Sequence, residues 1–325
     1  DAVFTTLFDR FEGRAPGFLE RYNFTITEST PFDIEVAVDP EMIGKVYESL
    51  VNVSEEADER GEAGIFYTPR VEIDLMCRLT LVDWFAHHLG REHKAPLYTA
   101  AFALEEEDKA HADDALMQHN LWSQLSDLLD TVTVVDPACG SGSFLVGMLQ
   151  VLDDLVARAD AQLGRERTPY ERRKRIIGHS LYGVDVMDWA VHVAELRLWL
   201  QLVIETELAQ AELKFRPLLP NLSFKVRPGD SLVQEVGGIN LALRQGSRLI
   251  PPQVKGRITR LKGEKLKFYN NDPHCAYTSV AQLRQAEVAL FRDILDARTQ
   301  AIDQRLKAID DALRPQVNLF GEEQT

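Results

Sequence analysis

The sequence predicts a doubly wound α/β core with helical segments on either side, and three observations support this fold class. An apolar stretch from Val132 to Asp136 runs into a turn with two glycines and then into a helical pattern, which is typical of a strand, a ligand-binding turn and a helix. Two further apolar stretches run into acidic turns, at Asp185 and at Asp230. Helical sequence separates the three stretches, as the crossovers between parallel strands require.

We divide the chain into three regions. Residues 1–130 are predicted to be mainly helical after a β-rich opening around Tyr22 to Val38, and residues 131–235 to form the α/β core. Residues 236–325 are predicted to hold a basic loop and a long helical segment. That segment contains apolar residues at spacings of 4, 3 and 4, which is typical of a helical hairpin or a coiled coil. These residues are Ile302, Leu306, Ile309 and Leu313.

Helical periodicity also predicts which side chains enter the core. A helix begins at Thr68 as N-cap with Pro69 at its first position, and another spans Leu104 to Leu129. The first helix is predicted to bury Val71, Leu75, Leu79, Val82 and Phe85. The helix after the glycine turn is predicted to bury Leu145, Met148, Leu149, Leu152, Leu155 and Val156. A helix from Trp189 to Glu205 is predicted to align Val193, Leu196, Leu200 and Val203, before a third strand at Leu222 to Val226.

Composition excludes several classes of protein. A chain of 325 residues with 45% hydrophobic residues can bury a sizeable core, and neither a membrane span nor a secretory leader is visible. The net charge of −15 argues against nonspecific coating of nucleic acid. Three widely spaced cysteines, Cys77, Cys139 and Cys275, suit a reducing cytoplasm and show no metal-binding spacing.

The turn after the first strand indicates a nucleoside-cofactor site. Glycines at 140 and 142 let the backbone approach a bulky ligand, and the carboxylate of Asp136 suits a cationic amino group better than a phosphate. A phosphate-binding P-loop is excluded because no lysine occurs between Val134 and Leu163. A dinucleotide fingerprint is excluded because Leu145 stands where its third glycine is required.

The residues of this turn resemble a known motif. Asp136 to Phe144, read as Asp-Pro-Ala-Cys-Gly-Ser-Gly-Ser-Phe, is similar to motif I of the S-adenosylmethionine-dependent amino-methyltransferases of DNA. Upstream, Tyr67-Thr68-Pro69 resembles motif X of the adenine methyltransferases. Downstream, Val184-Asp185 and Gly229-Asp230-Ser231-Leu232 resemble motifs II and III. This order is that of the γ-type N6-adenine methyltransferases, which include type I methylase subunits and fused type II restriction-modification enzymes.

The resemblance implies a Rossmann-like methyltransferase core that binds S-adenosyl-L-methionine and acts on double-stranded DNA. It implies that the glycine turn and Phe144 surround the methionine part of the cofactor, that Asp185 holds the ribose and that Asp230 meets the adenine amino group. The cofactor-binding set predicted in this way is Tyr67, Thr68, Pro69, Asp136, Pro137, Ala138, Gly140, Gly142, Phe144, Asp185, Val186, Asp230 and Ser231.

One family motif is missing. The Asn-Pro-Pro-Tyr/Phe string that grips the target base occurs nowhere in the sequence, and Asn271-Asp272-Pro273-His274 lacks its second proline and its aromatic residue. We therefore assign no catalytic residue and expect a fragment that stops before this motif. The nuclease letters Asp83 with Glu92-His93-Lys94 are rejected because their setting is helical.

Other predictions concern partners. Six basic side chains are candidate contacts to the DNA backbone, with a solvated loop as the alternative. They are Lys255, Arg257, Arg260, Lys262, Lys265 and Lys267. A specificity or restriction subunit or domain and oligomerisation through the last helix are further expectations. Two alternatives remain open: a non-catalytic assembly or DNA-docking module with a vestigial pocket, and methylation of cytosine N4, RNA or a protein glutamine.

Overall fold

The computed structural model describes residues 68–203, 220–233, 235–236, 239–240 and 251–313. The predictions for the β-rich opening and for Tyr67 lie outside these residues. The chain divides into two compact units, one up to Ser231 and one from Leu232 onward. No helix within the described ranges combines the length and the apolar content needed to cross a membrane.

Between residue 68 and the first strand, the first unit contains four α-helices and a short 3-10 turn at Arg91–His93. The helices are α1 (Arg70–Leu89), α2 (Lys94–Phe102), α3 (Glu106–Gln118) and α4 (Trp122–Thr131). The single helix predicted from Leu104 to Leu129 is therefore wrong. Asn120 adopts a left-handed φ of 54°, and the N–H of Leu121 bonds to the carbonyl of Leu116 at 3.0 Å, which is how a helix ends and reverses.

The buried face of α1 differs from the predicted one. Val82 and Phe85 are buried as predicted, but Val71, Leu75 and Leu79 are exposed. The helix instead buries a neighbouring face against α2 and against the helix Ser143–Leu163. That face consists of Ile73, Cys77, Arg78, Leu81, Val82, Phe85 and Ala86. Because α1 is apolar on two adjacent faces, periodicity alone could not choose between them.

The α/β core alternates strands and helices. Its strands are β1 (Val134–Asp136), β2 (Leu181–Asp185) and β3 (Val226–Pro228). Its helices are α5 (Ser143–Leu163), α6 (Pro169–His179) and α7 (Asp188–Val203). The strands pair in parallel in the order β1-β2-β3, with Asp136 opposite Gly183 and Asp185 opposite Pro228. All three carboxyl ends therefore lie at one edge of this sheet.

The third strand starts later than predicted. Leu222 and Phe224 are buried, but the N–H of Lys225 bonds back to the carbonyl of Leu222 at 2.7 Å. This turn keeps residues 222–225 out of the ladder, so the strand begins at Val226. The prediction located the apolar stretch correctly and mistook a buried turn for a strand.

Core packing is confirmed for α5, whose six predicted residues are all buried. In α7, Leu200 is buried, but Val193 and Leu196 are only half-buried. The most buried face of α7 carries Ala190, Val191, Ala194, Arg197, Leu198, Gln201 and Leu202. Its small alanines allow α7 to lie close to the sheet and to the glycine turn.

One face of the sheet is open among the described residues. Val135 of β1 is 64% exposed and Tyr182 of β2 is 37% exposed, although parallel sheets are usually covered on both faces. The ammonium of Lys225 lies 4.1 Å from the centre of the Tyr182 ring. Within the same residues β1 has one strand neighbour, β2.

The second unit contains a short antiparallel pair, β4 (Glu235–Val236) and β5 (Ile239–Asn240), and two long helices, α8 (Pro252–Tyr269) and α9 (Val280–Leu313). The basic stretch predicted as a loop is therefore a helix. Ion pairs join Arg257 to Asp293 and Lys265 to Glu287, so α8 and α9 form an antiparallel hairpin. The string from Asn271 to His274 is the hairpin turn, with Asn271 at a φ of 53°.

Candidate functional site

The site is built on the turn between β1 and α5. The N–H of Cys139 bonds to the carbonyl of Val184 on β2 at 2.9 Å, and the N–H of Gly142 bonds to the carbonyl of Cys139 at 2.8 Å. Gly140 and Gly142 have left-handed φ values of 51° and 82°, which residues other than glycine rarely adopt. The turn is therefore fixed to the neighbouring strand before it enters α5.

The two glycines have different roles. A Cβ added to Gly142 would lie 2.8 Å from the Cβ of Ala194, whereas one added to Gly140 would meet nothing within 4 Å. Gly142 is thus required by the close approach of α7, which corrects the expectation that it makes room for a ligand. Only Gly140 faces open space of the kind a ligand could fill.

Asp136 closes β1 with a carboxylate that is only half satisfied. Its Oδ1 accepts the N–H of Ala138 at 3.2 Å, while its buried Oδ2 has no hydrogen-bond partner. Burial raises the pKa of Asp136, the bond from Ala138 lowers it, and the charge of Asp185 raises it. A cationic hydrogen-bond donor at Oδ2 would relieve both the desolvation and the repulsion.

Asp185 at the end of β2 is used differently. Its Oδ2 accepts the N–H of Gly140 at 2.8 Å and its Oδ1 accepts the N–H of Met187 at 3.0 Å. The carboxylate therefore ties the glycine turn to the start of α7. Each carboxylate oxygen can accept a second bond, so this supporting role leaves room for a hydroxyl ligand. The sequence did not predict that Asp185 supports the glycine turn.

The predicted motif III residues follow β3 at the same edge. The N–H of Gly229 bonds to the carbonyl of Asp185 at 2.8 Å, and Asp230 is exposed. Ser231 donates its hydroxyl to the carbonyl of Pro137 at 2.7 Å. Ser231 thereby connects the third strand end to the glycine turn across β2.

Three more predicted residues lie beside the turn. Pro137 and Ala138 are exposed at its first two positions. Phe144 is half-buried in the first turn of α5, and its carbonyl receives the thiol of Cys77 at 3.9 Å. Beyond Asp185, Val186 presents an apolar side chain that is 62% exposed. An exposed valine directly after a strand-end carboxylate is suited to contact a nucleoside face.

The start of α1 lies close to the start of α5. The helix begins at Arg70 with Pro69 as its N-cap and no side-chain cap, so the predicted Thr68 cap is wrong by one residue. A cavity of about 270 Å³ is lined by Arg70 and by Ser143, the first residue of α5. The predicted residues Thr68, Pro69 and Asp136 do not line this cavity.

A buried arginine supports the turn and was not predicted. Arg197 of α7 is 2% exposed. Its Nη1 donates to the carbonyl and the hydroxyl of Ser141, both at 3.0 Å, and to the hydroxyl of Ser143 at 2.9 Å. An arginine among the apolar residues of α7 was the available signal, because a buried guanidinium needs fixed acceptors.

Other chemistry is not supported in the described ranges. These ranges contain no group of three or more His, Cys, Asp or Glu side chains able to hold a metal ion. Burial raises the pKa of Cys77 and of Cys139 to about 12, so neither thiol is a ready nucleophile. Asp83 forms an ion pair with Lys94 at 2.6 Å, which gives the rejected nuclease letters a structural role.

Comparison with known proteins agrees with this geometry. Residues 108–233 match the DNA-methyltransferase domain of the MmeI family. Over 248 residues the chain is 34% identical to a putative type II restriction enzyme and methyltransferase of Methanocaldococcus jannaschii. That alignment covers 74% of this chain and 20% of the relative, so the chain spans about a fifth of the relative's length. No solved structure matches. Both similarities support a methyltransferase family of restriction-modification systems.

Proposed function

We propose that this chain binds S-adenosyl-L-methionine and forms the cofactor-binding part of a DNA adenine-N6 methyltransferase of a restriction-modification or phage-defence system. The observation that carries the proposal is the buried, unpartnered Oδ2 of Asp136. A cationic amino group is a ligand that suits such an atom. Asp136, Asp185 and Asp230 at one sheet edge disfavour a phosphate for the same electrostatic reason.

Specific residues suit each part of this cofactor. Asp136 would accept from the amino group of its methionine part, beside the open space at Gly140. Spare lone pairs of Asp185 would accept from the ribose hydroxyls, and Asp230 from the exocyclic amine of the adenine. Thr68, Pro69 and Phe144 would border the methionine part, and Val186 the nucleoside. When bound, the cofactor supplies an activated methyl group for transfer to a nucleophilic amine.

The protein's own contribution is to fix these groups before the ligand arrives. Gly140 and Gly142 shape the turn, Asp185 and Ser231 tie it to the strands β2 and β3, and Arg197 supports it from α7. Since these bonds form without the ligand, binding carries no additional entropic cost for ordering the turn. The resemblance and both similarities point to DNA as the acceptor.

Calorimetric titration of the chain with S-adenosyl-L-methionine tests the cofactor. We expect saturable binding, and binding of the demethylated product S-adenosylhomocysteine. NAD and ATP serve as controls, and they should not bind, because their phosphates would face the acidic edge. A chain that stays folded and shows neither heat nor a thermal shift with the cofactor would refute the proposal.

The proposed methyl acceptor, adenine, is tested on a protein that includes the Asn-Pro-Pro-Tyr/Phe motif. Mass analysis of nucleosides from treated DNA should show N6-methyladenine. Appearance of N4-methylcytosine instead, or methylation of RNA or protein only, would replace adenine by one of those acceptors. Cofactor binding without transfer to any of them would favour the assembly or DNA-docking module.

Ion pairs within the protein reduce the number of basic side chains that we propose as DNA contacts. Three of the six basic side chains of α8 form ion pairs, Arg257 with Asp293, Lys265 with Glu287 and Lys267 with Glu264. The other three are exposed, and they are Lys255, Arg260 and Lys262. We propose that these three meet the phosphate backbone. Reversing the charge of Lys255 and Lys262 should weaken DNA binding and reduce its salt dependence, whereas Lys307→Glu on α9 should not.

A further inference from the structure

The long helix α9 carries two apolar faces, of which one is occupied. Towards α8 it buries Leu283 and Leu290, which are 0% and 8% exposed. A second face is open, and within residues 251–313 it holds all the large apolar side chains that are exposed. They are Val288, Phe291, Ile302, Leu306 and Ile309. We call this second face the α9 stripe, and the half-buried Leu295 lies within it.

 Counted residue by residue from Val288 through Leu295 to Ile309, the steps are 3, 4, 7, 4 and 3, so the α9 stripe stays on one side of the helix.

The end of α9 extends past its partner helix. The ion pairs of Lys265 with Glu287 and of Arg257 with Asp293 set the antiparallel register. Continuing that register brings the first residue of α8, Pro252, opposite about residue 298. Residues 299–313, roughly four helical turns, therefore extend beyond the first residue of α8. We call these residues the α9 overhang, and it carries the densest part of the α9 stripe.

The α9 overhang has the pattern of a coiled coil. With Ile302 and Ile309 at d positions, Leu306 and Leu313 fall at a positions. Farther back, the a positions are held by Thr299 and Arg292. The closely packed part of an interface would therefore be confined to the overhang, where both core positions are aliphatic.

Charged residues beside the apolar positions of the α9 overhang determine which partner helix, and which orientation of it, is favourable. Arg305 falls at a g position, and Asp303 and Asp310 fall at e positions, all three exposed. In a parallel coiled coil a g side chain meets the e side chain five residues later on the other helix, so Arg305 would meet Asp310 of a second copy. An antiparallel pair would instead oppose arginine to arginine and aspartate to aspartate.

We propose that the chain self-associates in parallel through the α9 overhang, with a second copy of the same helix covering Ile302, Leu306 and Ile309. The apolar positions and the charges of the α9 overhang are complementary to those of a second copy, and none of these residues belongs to the predicted cofactor-binding set. Leucine at a and isoleucine at d favour more than two strands, so assemblies larger than a dimer also satisfy the proposal. The inference does not depend on the proposed function.

Sedimentation velocity of the whole chain, over a wide range of concentration, tests the proposal. We expect a reversible shift from monomer to a larger species, lost in Leu306→Glu, whose side chain is 55% exposed. Lys307→Glu, an exposed change on the next residue, is the matched control and should leave the shift intact. A folded wild-type chain that remains monomeric throughout would overturn the proposal, as would self-association that persists in Leu306→Glu.

A charge exchange tests the direction. Arg305→Asp alone and Asp310→Arg alone should each weaken self-association roughly tenfold, because like charges then oppose each other. The double variant Arg305→Asp/Asp310→Arg should restore it, since the pair is re-formed between copies. Residues five apart do not meet on one helix, so rescue cannot arise within a single chain. Failure of the rescue would overturn the parallel arrangement.

Discussion

The neighbouring strands β1 and β2 both end in an aspartate at the same edge of the sheet, and the protein uses the two carboxylates differently. Both carboxylate oxygens of Asp185 accept hydrogen bonds from backbone N–H groups, those of Gly140 and Met187. Asp136 accepts one N–H and keeps a buried oxygen without a partner. The difference teaches that the end of β2 builds the turn, whereas the end of β1 keeps a buried acceptor that the described residues do not use.

The largest effect should come from Asp136→Asn, which keeps the shape and removes the charge. We expect the affinity for S-adenosyl-L-methionine to fall about 100-fold, since a charge-assisted bond of about 3 kcal/mol is lost. The free energy of unfolding at neutral pH should stay the same or rise, because a desolvated charge beside Asp185 disappears. Calorimetric titration and urea denaturation measure the two quantities.

The matched control for this change is Asp127→Asn, an exposed aspartate on α4, which should alter neither quantity. Unchanged affinity in Asp136→Asn would show that the unpartnered oxygen does not contact the cofactor. A large loss of stability would show that the carboxylate supports the turn after all, and the contrast with Asp185 would disappear.

Asp185→Ala should show the opposite balance. Two backbone N–H groups lose their acceptor, so the free energy of unfolding should fall by about 2 kcal/mol, and cofactor affinity should fall with it as the turn loosens. Chemical denaturation in the absence of ligand isolates the structural part. A variant of normal stability with reduced affinity would assign Asp185 to the ligand alone.

The pH dependence of binding sharpens the contrast further. Burial raises the pKa of Asp136 above its usual range, and a cationic ligand favours the ionised carboxylate. Affinity should therefore decrease as the pH falls through this raised pKa, by up to about tenfold per pH unit, and level off at higher pH. Protonation of Asp136 also removes its desolvation cost, so its own contribution to stability becomes more favourable as the pH falls.

Titrations at several pH values, each in two buffers of different ionisation enthalpy, would show the accompanying release of a proton. Asp136→Asn should bind weakly with no such dependence. A flat profile in the wild-type chain, within the range where the fold persists, would mean that Asp136 is already ionised or lies away from the bound cation.

Sequence reasoning predicted the elements around the glycine turn more reliably than it explained their residues. The strand ends at Asp136 and Asp185, and the buried residues of α5, follow from local patterns that the structure retains. The reason for Gly142 depends on Ala194, 52 residues away in the chain, and no local pattern contains that information. The same is true of Arg197, whose acceptors lie in the glycine turn.

The errors share a physical cause. In α1 the apolar residues outnumber those that one face can bury, so the choice between Val71 and Ile73 was made by the shape of the opposing helix. Gly147 of α5 admits Ile73, since a Cβ there would lie 2.6 Å from the Ile73 Cγ2. The basic stretch of α8 was predicted as a loop because its stabilising partners, Asp293 and Glu287, lie on another helix.

Ser231→Ala should have the smallest effect, because one exposed hydroxyl is lost and no charge changes. Its bond to the carbonyl of Pro137 joins the end of β3 to the glycine turn, 2.7 Å from donor to acceptor. Since water can replace this donor, we expect a loss of stability of about 0.5 to 1 kcal/mol and a severalfold loss of cofactor affinity. Ser231→Thr keeps the hydroxyl and should restore both quantities. If Ser231→Ala weakened binding as much as Asp136→Asn, positioning of the turn rather than charge would dominate recognition, and the end of β1 would no longer stand apart from the end of β2.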